Sequence, residues 1–287
     1  MHFFGTFTEQ ALVPHPVFAG RGEGYRRASL VDHGTGSVHT GLSIDELAPH
    51  GIVPPHVHSY EEGFYVLSGE AIFMIDGRAC RLGPGDFGAA KVGVPHGWRA
   101  VGDTPLRWLQ AASPQPKPPG KERDTFFVTD AAVPADAPPR DANADGGLLG
   151  HFDVGQIPPG DQGRLVAGGL KGVFLKWLID EAFGARHHRL LFIEYLPGVS
   201  IGLHDHGYEE AYFILSGEVE ATLDGQQYRA RAGDVLWTGV GCVHAFANTG
   251  TEPVRWLETF SPQPPAENVF RFMAEWEQRA RDLEGSS

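Results

Sequence analysis

The sequence predicts an all-β protein built as two tandem barrels with a short helical tail, and three observations lead there. The chain of 287 residues holds 38 glycines and 22 prolines, a turn-rich composition suited to many short strands rather than to a helical bundle. Short segments alternate apolar and polar residues, as half-buried strands do. The chain also repeats itself: shifted by 148 residues, its halves align without a gap.

The repeat sets the organisation. His56, His58 and Glu62 fall on His204, His206 and Glu210, and His96 falls on His244. Leu67-Ser68-Gly69-Glu70 falls on Leu215-Ser216-Gly217-Glu218, Asp76-Gly77 on Asp224-Gly225, and Arg107-Trp108-Leu109 on Arg255-Trp256-Leu257. Leu30, Asp32 and His39 fall on Leu178, Asp180 and His187. Each copy runs for about 85 residues, long enough for one barrel. The expected division is an N-terminal barrel domain over 1–125, a connector over 126–165, a second barrel domain over 166–264 and a tail over 265–287.

Within the copies, Val219, Ala221 and Leu223 alternate with Glu218, Glu220 and Thr222, the signature of a strand with one buried face. Asp224-Gly225 then supplies the positive φ values of a two-residue hairpin. In the first copy Ile72 and Met74 replace Glu220 and Thr222, so that strand is apolar on both faces and its outer face must be covered, by the N-terminal segment or by another subunit. The connector is rich in Pro, Ala and Asp, and Phe126-Phe127-Val128 is expected to pin it to a barrel. In the tail, Phe270, Met273, Trp276, Ala280 and Leu283 recur at helical spacing over Asn268–Leu283 before Gly285, which predicts one amphipathic helix.

A formal charge of −13 disfavours nucleic acid and anionic membrane as partners and suits a small-molecule substrate. The two cysteines, Cys80 and Cys242, sit in different halves, which argues against a disulfide and for a reducing compartment. With no basic segment leading into an apolar run near Met1, a cytoplasmic location is expected.

The chemistry lies in PHVHSYEEGFYVLSGE and its counterpart. Residues i and i+2 of a strand share a face, so His56 and His58 point together into the first barrel, as His204 and His206 do in the second. Glu62 and Glu210 follow from the next strand, and His96 and His244 return 34 residues later. Three imidazoles and a carboxylate hold a divalent transition metal, Fe, Mn, Ni, Cu or Zn rather than Mg or Ca, and leave positions open for substrate. Up to two ions per chain follow. Glu61 and Glu209 should face away as solvated charges on alternating strands. Cys242, two residues before His244, is read as a small buried thiol, and His39 and His187 as structural or surface residues.

These segments resemble the motifs of the cupin superfamily. The first motif, G-x5-H-x-H-x3,4-E-x6-G, is matched by Gly198–Gly217 at every anchor; the first copy carries His50 in place of the leading glycine. The second motif is matched loosely by Gly85, Gly93, Pro95 and His96, and by Gly233, Gly241, His244 and Asn248. The resemblance implies two double-stranded β-helix (jelly-roll) barrels, a bicupin, with the general pattern of quercetinase and pirin-like proteins. It implies a substrate seated above each metal and lined by Phe64, Trp98 and Trp108 in the first copy and by Tyr212, Phe246 and Trp256 in the second. Glu62 and Glu210 would then also act as catalytic bases.

The leading expectation is an iron-dependent dioxygenase that brings O2 to a small aromatic or phenolic substrate. The alternatives are a non-redox metalloenzyme (isomerase, decarboxylase or hydrolase) acting on a small organic acid or amide, and a metal- and ligand-binding module without turnover. The arginine that oxalate decarboxylases carry before the first histidine has no counterpart. The second site, with the more polar lining, is expected to be the more active. The chain is compatible with a homo-oligomer.

Overall fold

The computed structural model describes residues 1–118, 120–121, 123–141, 148–158, 172–263 and 271–273. The protein is all-β, as the alternation predicts: among the described residues the elements are strands and short 3-10 turns. No helix among them is long and apolar enough to cross a membrane. Most of the helix expected over Asn268–Leu283 lies outside the described residues; Arg271–Phe272, which is described, is a short strand instead.

Each copy curls into a barrel of antiparallel strands. In the first, the long strand Gly41–His58 pairs with Leu106–Ser113 at one end and with His96–Val101 at the other, so it bends from one side of the barrel to the opposite one. In the second, Arg189–Tyr195 and Ser200–Asp205 take these two roles. The hairpin expected at Asp224-Gly225 is present, with φ of 47° and 79°, and Asp76-Gly77 repeats it with 50° and 74°. Strand pairing crosses the division expected at residues 125 and 165. His2–Thr6 pairs with Asp234–Thr238 of the second barrel, while Leu149–His151 pairs with Asp86–Ala90 of the first.

The barrels share a core. Leu30, Val31, Ile44 and Leu109 from the first copy pack in one cluster with Leu178, Ile179, Phe192 and Leu257 from the second. At its edge Ser113 Oγ hydrogen-bonds Ser261 Oγ, its own counterpart in the repeat. Each serine hydroxyl also lies within hydrogen-bond distance of a carbonyl of the other half, Ser113 of His187 (3.1 Å) and Ser261 of His39 (3.2 Å).

Glu61 and Glu209 overturn the expectation of solvated charges, being only 1% and 3% exposed. Each faces away from its barrel interior, as alternation requires, but that direction leads into the other half. Glu209 accepts from Ser37 Oγ (2.6 Å) and from the backbone N–H groups of Val38, His39 and Thr40 (2.8, 3.0 and 3.0 Å). Glu61 accepts from the N–H groups of Arg186 (2.9 Å) and His187 (3.1 Å) and lies 2.8 Å from His188 Nδ1. The cover over Ile72 and Met74 also differs from both expectations. Val133 of the connector packs on them, with Ala137 alongside.

Candidate metal centres and the cavity beside the first

The strand geometry brings the predicted ligands together. His56 stands opposite His96 in the register, and His204 opposite His244. In each barrel the three imidazoles offer ligand atoms within 4.8 Å of one another, all three residues are buried, and each triad could hold a metal ion. Glu62 approaches its triad, 3.1 Å from His58 Nε2 and 3.7 Å from His96 Nε2. Glu210 lies 3.3 Å from His206 Nε2 and 3.1 Å from His244 Nε2.

Orientation comes from the far side of each ring. His56 and His96 turn Nδ1 to the carbonyls of Pro54 (2.7 Å) and Val94 (3.0 Å), and His204 and His244 to those of Gly202 (2.7 Å) and Cys242 (2.9 Å). His58 turns Nδ1 to Thr125 Oγ1 at 2.9 Å, a partner delivered by the connector strand Thr125–Phe127. Such contacts fix the tautomer and leave Nε2 for the metal. His96 Nε2 is buried with no hydrogen-bond partner, the state expected of a ligand nitrogen. The donor set therefore fits a divalent transition metal.

The electrostatics agree. Burial, reinforced by His96, pushes His56 well below the usual histidine range, and burial lowers His58 against the pull of Glu62. Burial alone would raise Glu62, but the His96 and His58 imidazoles outweigh it and hold the carboxyl well below its usual range. Burial would lower His96, yet the Glu62 charge raises it. In the second barrel burial takes His204 down to about 4, while the neighbouring histidines overcome burial and hold Glu210 at about 2. Burial pushes the Cys242 thiol up to about 12, in line with a buried, protonated thiol.

The six aromatics expected to line substrate are all buried and pack within aromatic clusters that also include Phe73 and Tyr195. Phe64 and Trp108 lie 4.8 Å from Trp98, and Tyr212 and Trp256 lie 4.9 and 5.8 Å from Phe246. Tyr212 also donates to Glu210 Oε2 at 2.5 Å, a bond that Phe64 cannot make to Glu62. Glu258, inside the second barrel, accepts from Trp256 Nε1 at 2.8 Å, and burial with the nearby Glu210 charge raises its carboxyl well above the usual range. The expectation of a more polar second site rested on Glu220 and Thr222, but these occupy the positions of Ile72 and Met74 on the outer face.

A cavity of about 670 Å³ reaches residues that contact the first triad, while His56, His58, His96 and Glu62 are not among its lining residues. Tyr60 and Thr125 form part of its wall; the Tyr60 ring stacks on His58 at 4.2 Å, with its hydroxyl 3.4 Å from His58 Nε2. Ala112, also in the wall, is the cross-strand neighbour of Glu62. Phe64, Trp98 and Trp108 are not among the lining residues. Arg27 and Gln110 are. Arg27 donates through Nε and Nη2 to Asp45 (2.6 and 3.2 Å), through Nη2 to Tyr25 Oη (2.8 Å) and to Gln110 Oε1 (2.7 Å). Sequence reasoning missed Arg27, Asp45, Gln110, Tyr60 and Thr125. One signal was available: the repeat puts Leu175 opposite Arg27 and Ile193 opposite Asp45, so a charged pair replaces an apolar one in barrel-facing positions.

Comparison with known proteins agrees with this architecture. The cupin domain family matches twice, at residues 43–111 and 191–260. The chain is a bicupin of the cupin superfamily. The oxalate-binding protein of Thermotoga maritima is 42% identical over 62 residues, covering 21% of this chain and 51% of that protein. The HTH-type transcriptional regulator PuuR of Escherichia coli is 31% identical over 103 residues, 36% of this chain and 55% of that one. The chain thus spans about half the length of these relatives. Among solved structures, oxalate decarboxylase of Lactobacillus farciminis superposes with a TM-score of 0.66 at 18% identity, over 95% of this chain and 89% of that chain. The Bacillus subtilis enzyme gives 0.64 at 19%, over 95% and 78%. At such identity the likeness is one of fold.

Proposed function

We propose that the protein is a metal-dependent enzyme that acts on a small organic acid by non-redox chemistry of the decarboxylase type, at the first barrel, with His56, His58, His96 and Glu62 as metal ligands. The observation that carries this reading is the Arg27 guanidinium in the wall of the cavity that adjoins the first triad. A guanidinium matches a carboxylate in both charge and geometry. Asp45 and Gln110 hold it in place, and its Nη1 donors lie outside those bonds. The named functions of one relative and of the structural neighbours, oxalate binding and oxalate decarboxylation, point to the same class of ligand.

A divalent ion held by His56, His58, His96 and Glu62 would supply Lewis acidity toward a bound carboxylate or carbonyl. The protein's own groups do the rest. Arg27 and Gln110 anchor and orient the acid. When the bond to the carboxyl carbon breaks, the electron pair stays on the remaining carbon and a proton must reach it. The Tyr60 hydroxyl, beside His58 Nε2, is a donor at that place. The same proposal extends metal binding to His204, His206, His244 and Glu210 in the second barrel.

The test is turnover of short carboxylic acids by protein reloaded separately with Mn, Fe and Zn, following CO2 release and dissolved O2 together. CO2 release without net O2 uptake, lost in Arg27→Met, is the expected result. Consumption of one O2 per turnover of an aromatic or phenolic substrate, confined to the iron-loaded protein, would establish the dioxygenase reading instead.

A further inference from the structure

The internal repeat supplies a control for the cavity, because every position in the first barrel has a counterpart in the second. Ser29, Gly41 and Ala112 line the cavity, and their counterparts are Trp177, Arg189 and Phe260. The register confirms the match. Ser29 pairs with Ser43 and Gly41 with Ala112, as Trp177 pairs with Leu191 and Arg189 with Phe260. In the second barrel these three side chains pack together. The Trp177 ring meets Phe260 edge-on at 5.8 Å, and the Arg189 guanidinium lies 5.1 Å over Trp177. Tyr208, the counterpart of Tyr60, stacks on Phe260 at 5.0 Å. Where the second barrel has this aromatic cluster, the first has a hydroxymethyl, a hydrogen and a methyl.

We infer that Ser29, Gly41 and Ala112 open a specificity pocket in the first barrel that takes the apolar body of an organic acid, and that Trp177, Arg189 and Phe260 close the equivalent space in the second. This rests on the proposed function and narrows its substrate: a carboxylate head at Arg27, joined to a hydrocarbon or aryl body, rather than a bare two-carbon diacid. Beyond Arg27 and Gln110 the wall is apolar over most of its area, with Val13, Val17, Val31, Leu42 and Pro116 in it. Asp32, His33, Lys117 and Asp124 are charged or titratable groups that also line it. Val13 and Val17 are 55% and 43% exposed, so part of the apolar wall stands open to solvent. A diacid of two carbons would leave this surface unfilled, whereas an acid with a tail removes it from water.

The experiment is calorimetric titration of the manganese-loaded protein with straight-chain monocarboxylates from acetate to octanoate. Affinity should rise by about 4-fold per methylene until the pocket is filled. Ala112→Phe, which copies the second barrel, should abolish the rise while metal content stays at that of the parent. Should that variant fail to fold, Ser29→Trp serves, since its side chain enters from a different strand. Phe260→Ala, in the second barrel, should leave the chain-length dependence as it was. If acetate and octanoate bind the parent equally well, or if both filled variants keep the full rise, the pocket is not a substrate site and the inference fails while the proposed function stands. If no carboxylate binds the metal-loaded protein at all, the proposed function itself fails.

Discussion

Glu209→Ala removes one carboxylate that accepts from four donors of the other half: the Ser37 hydroxyl and the backbone N–H groups of Val38, His39 and Thr40, at 2.6 to 3.0 Å. Hydrogen bonds to a buried charged acceptor contribute roughly 1.5–3 kcal/mol each. The four are not additive, because they share one desolvated charge and because water can enter the space an alanine leaves. A net loss of about 4 kcal/mol is expected, within the range found when one partner of a buried ionic network is removed. For a chain of this size that corresponds to a melting midpoint lower by about 10 °C. The assay is thermal and urea unfolding followed by tryptophan fluorescence, with metal content measured in parallel because Glu210 is the next residue. Glu218→Ala is the control: its partner Arg229 is largely exposed, so its loss should change stability by less than about 0.5 kcal/mol. A loss under about 1 kcal/mol in Glu209→Ala would show that water replaces the carboxylate readily and that the network does not hold the barrels together.

Three further outcomes follow from the structure. Thr125→Val removes the side-chain partner of His58 Nδ1 and should weaken metal binding at the first site by roughly 10–100-fold. His96→Ala and His244→Ala should each remove about one equivalent outright, as measured by elemental analysis after dialysis. On the acid side, burial would raise Glu61, but His188 and the N–H groups of Arg186 and His187 outweigh it and hold the carboxyl below its ordinary value of 4.5. A carboxylate lowered in the folded state stabilises it above the unfolded value and loses that contribution as pH falls through the folded one. Stability should therefore decline below about pH 4.5, and Glu61→Gln, already less stable at neutral pH, should show a shallower decline in urea titrations across that range.

The sequence by itself determined whatever depends on neighbours along the chain. Alternation placed Val219, Ala221 and Leu223 inside, Asp224-Gly225 turned the chain, and the two-residue spacing of His56 and His58 aimed both at one point, because strand geometry converts local spacing directly into direction. The repeat added the return of His96 and His244. What covers a face was decided only in three dimensions. Glu61 and Glu209 point away from their barrels, as the pattern says, but the pattern cannot show that the other half lies there with its N–H groups ready. Ile72 and Met74 demanded a cover, and only the path of the connector brought Val133 to them. His2–Thr6 joined the second barrel rather than the first because strand exchange is a long-range pairing with no local signal. The cavity at Arg27 likewise needed the fold: Ser29, Gly41 and Ala112 lie far apart in sequence, and they leave a shared space only where three strands place them side by side.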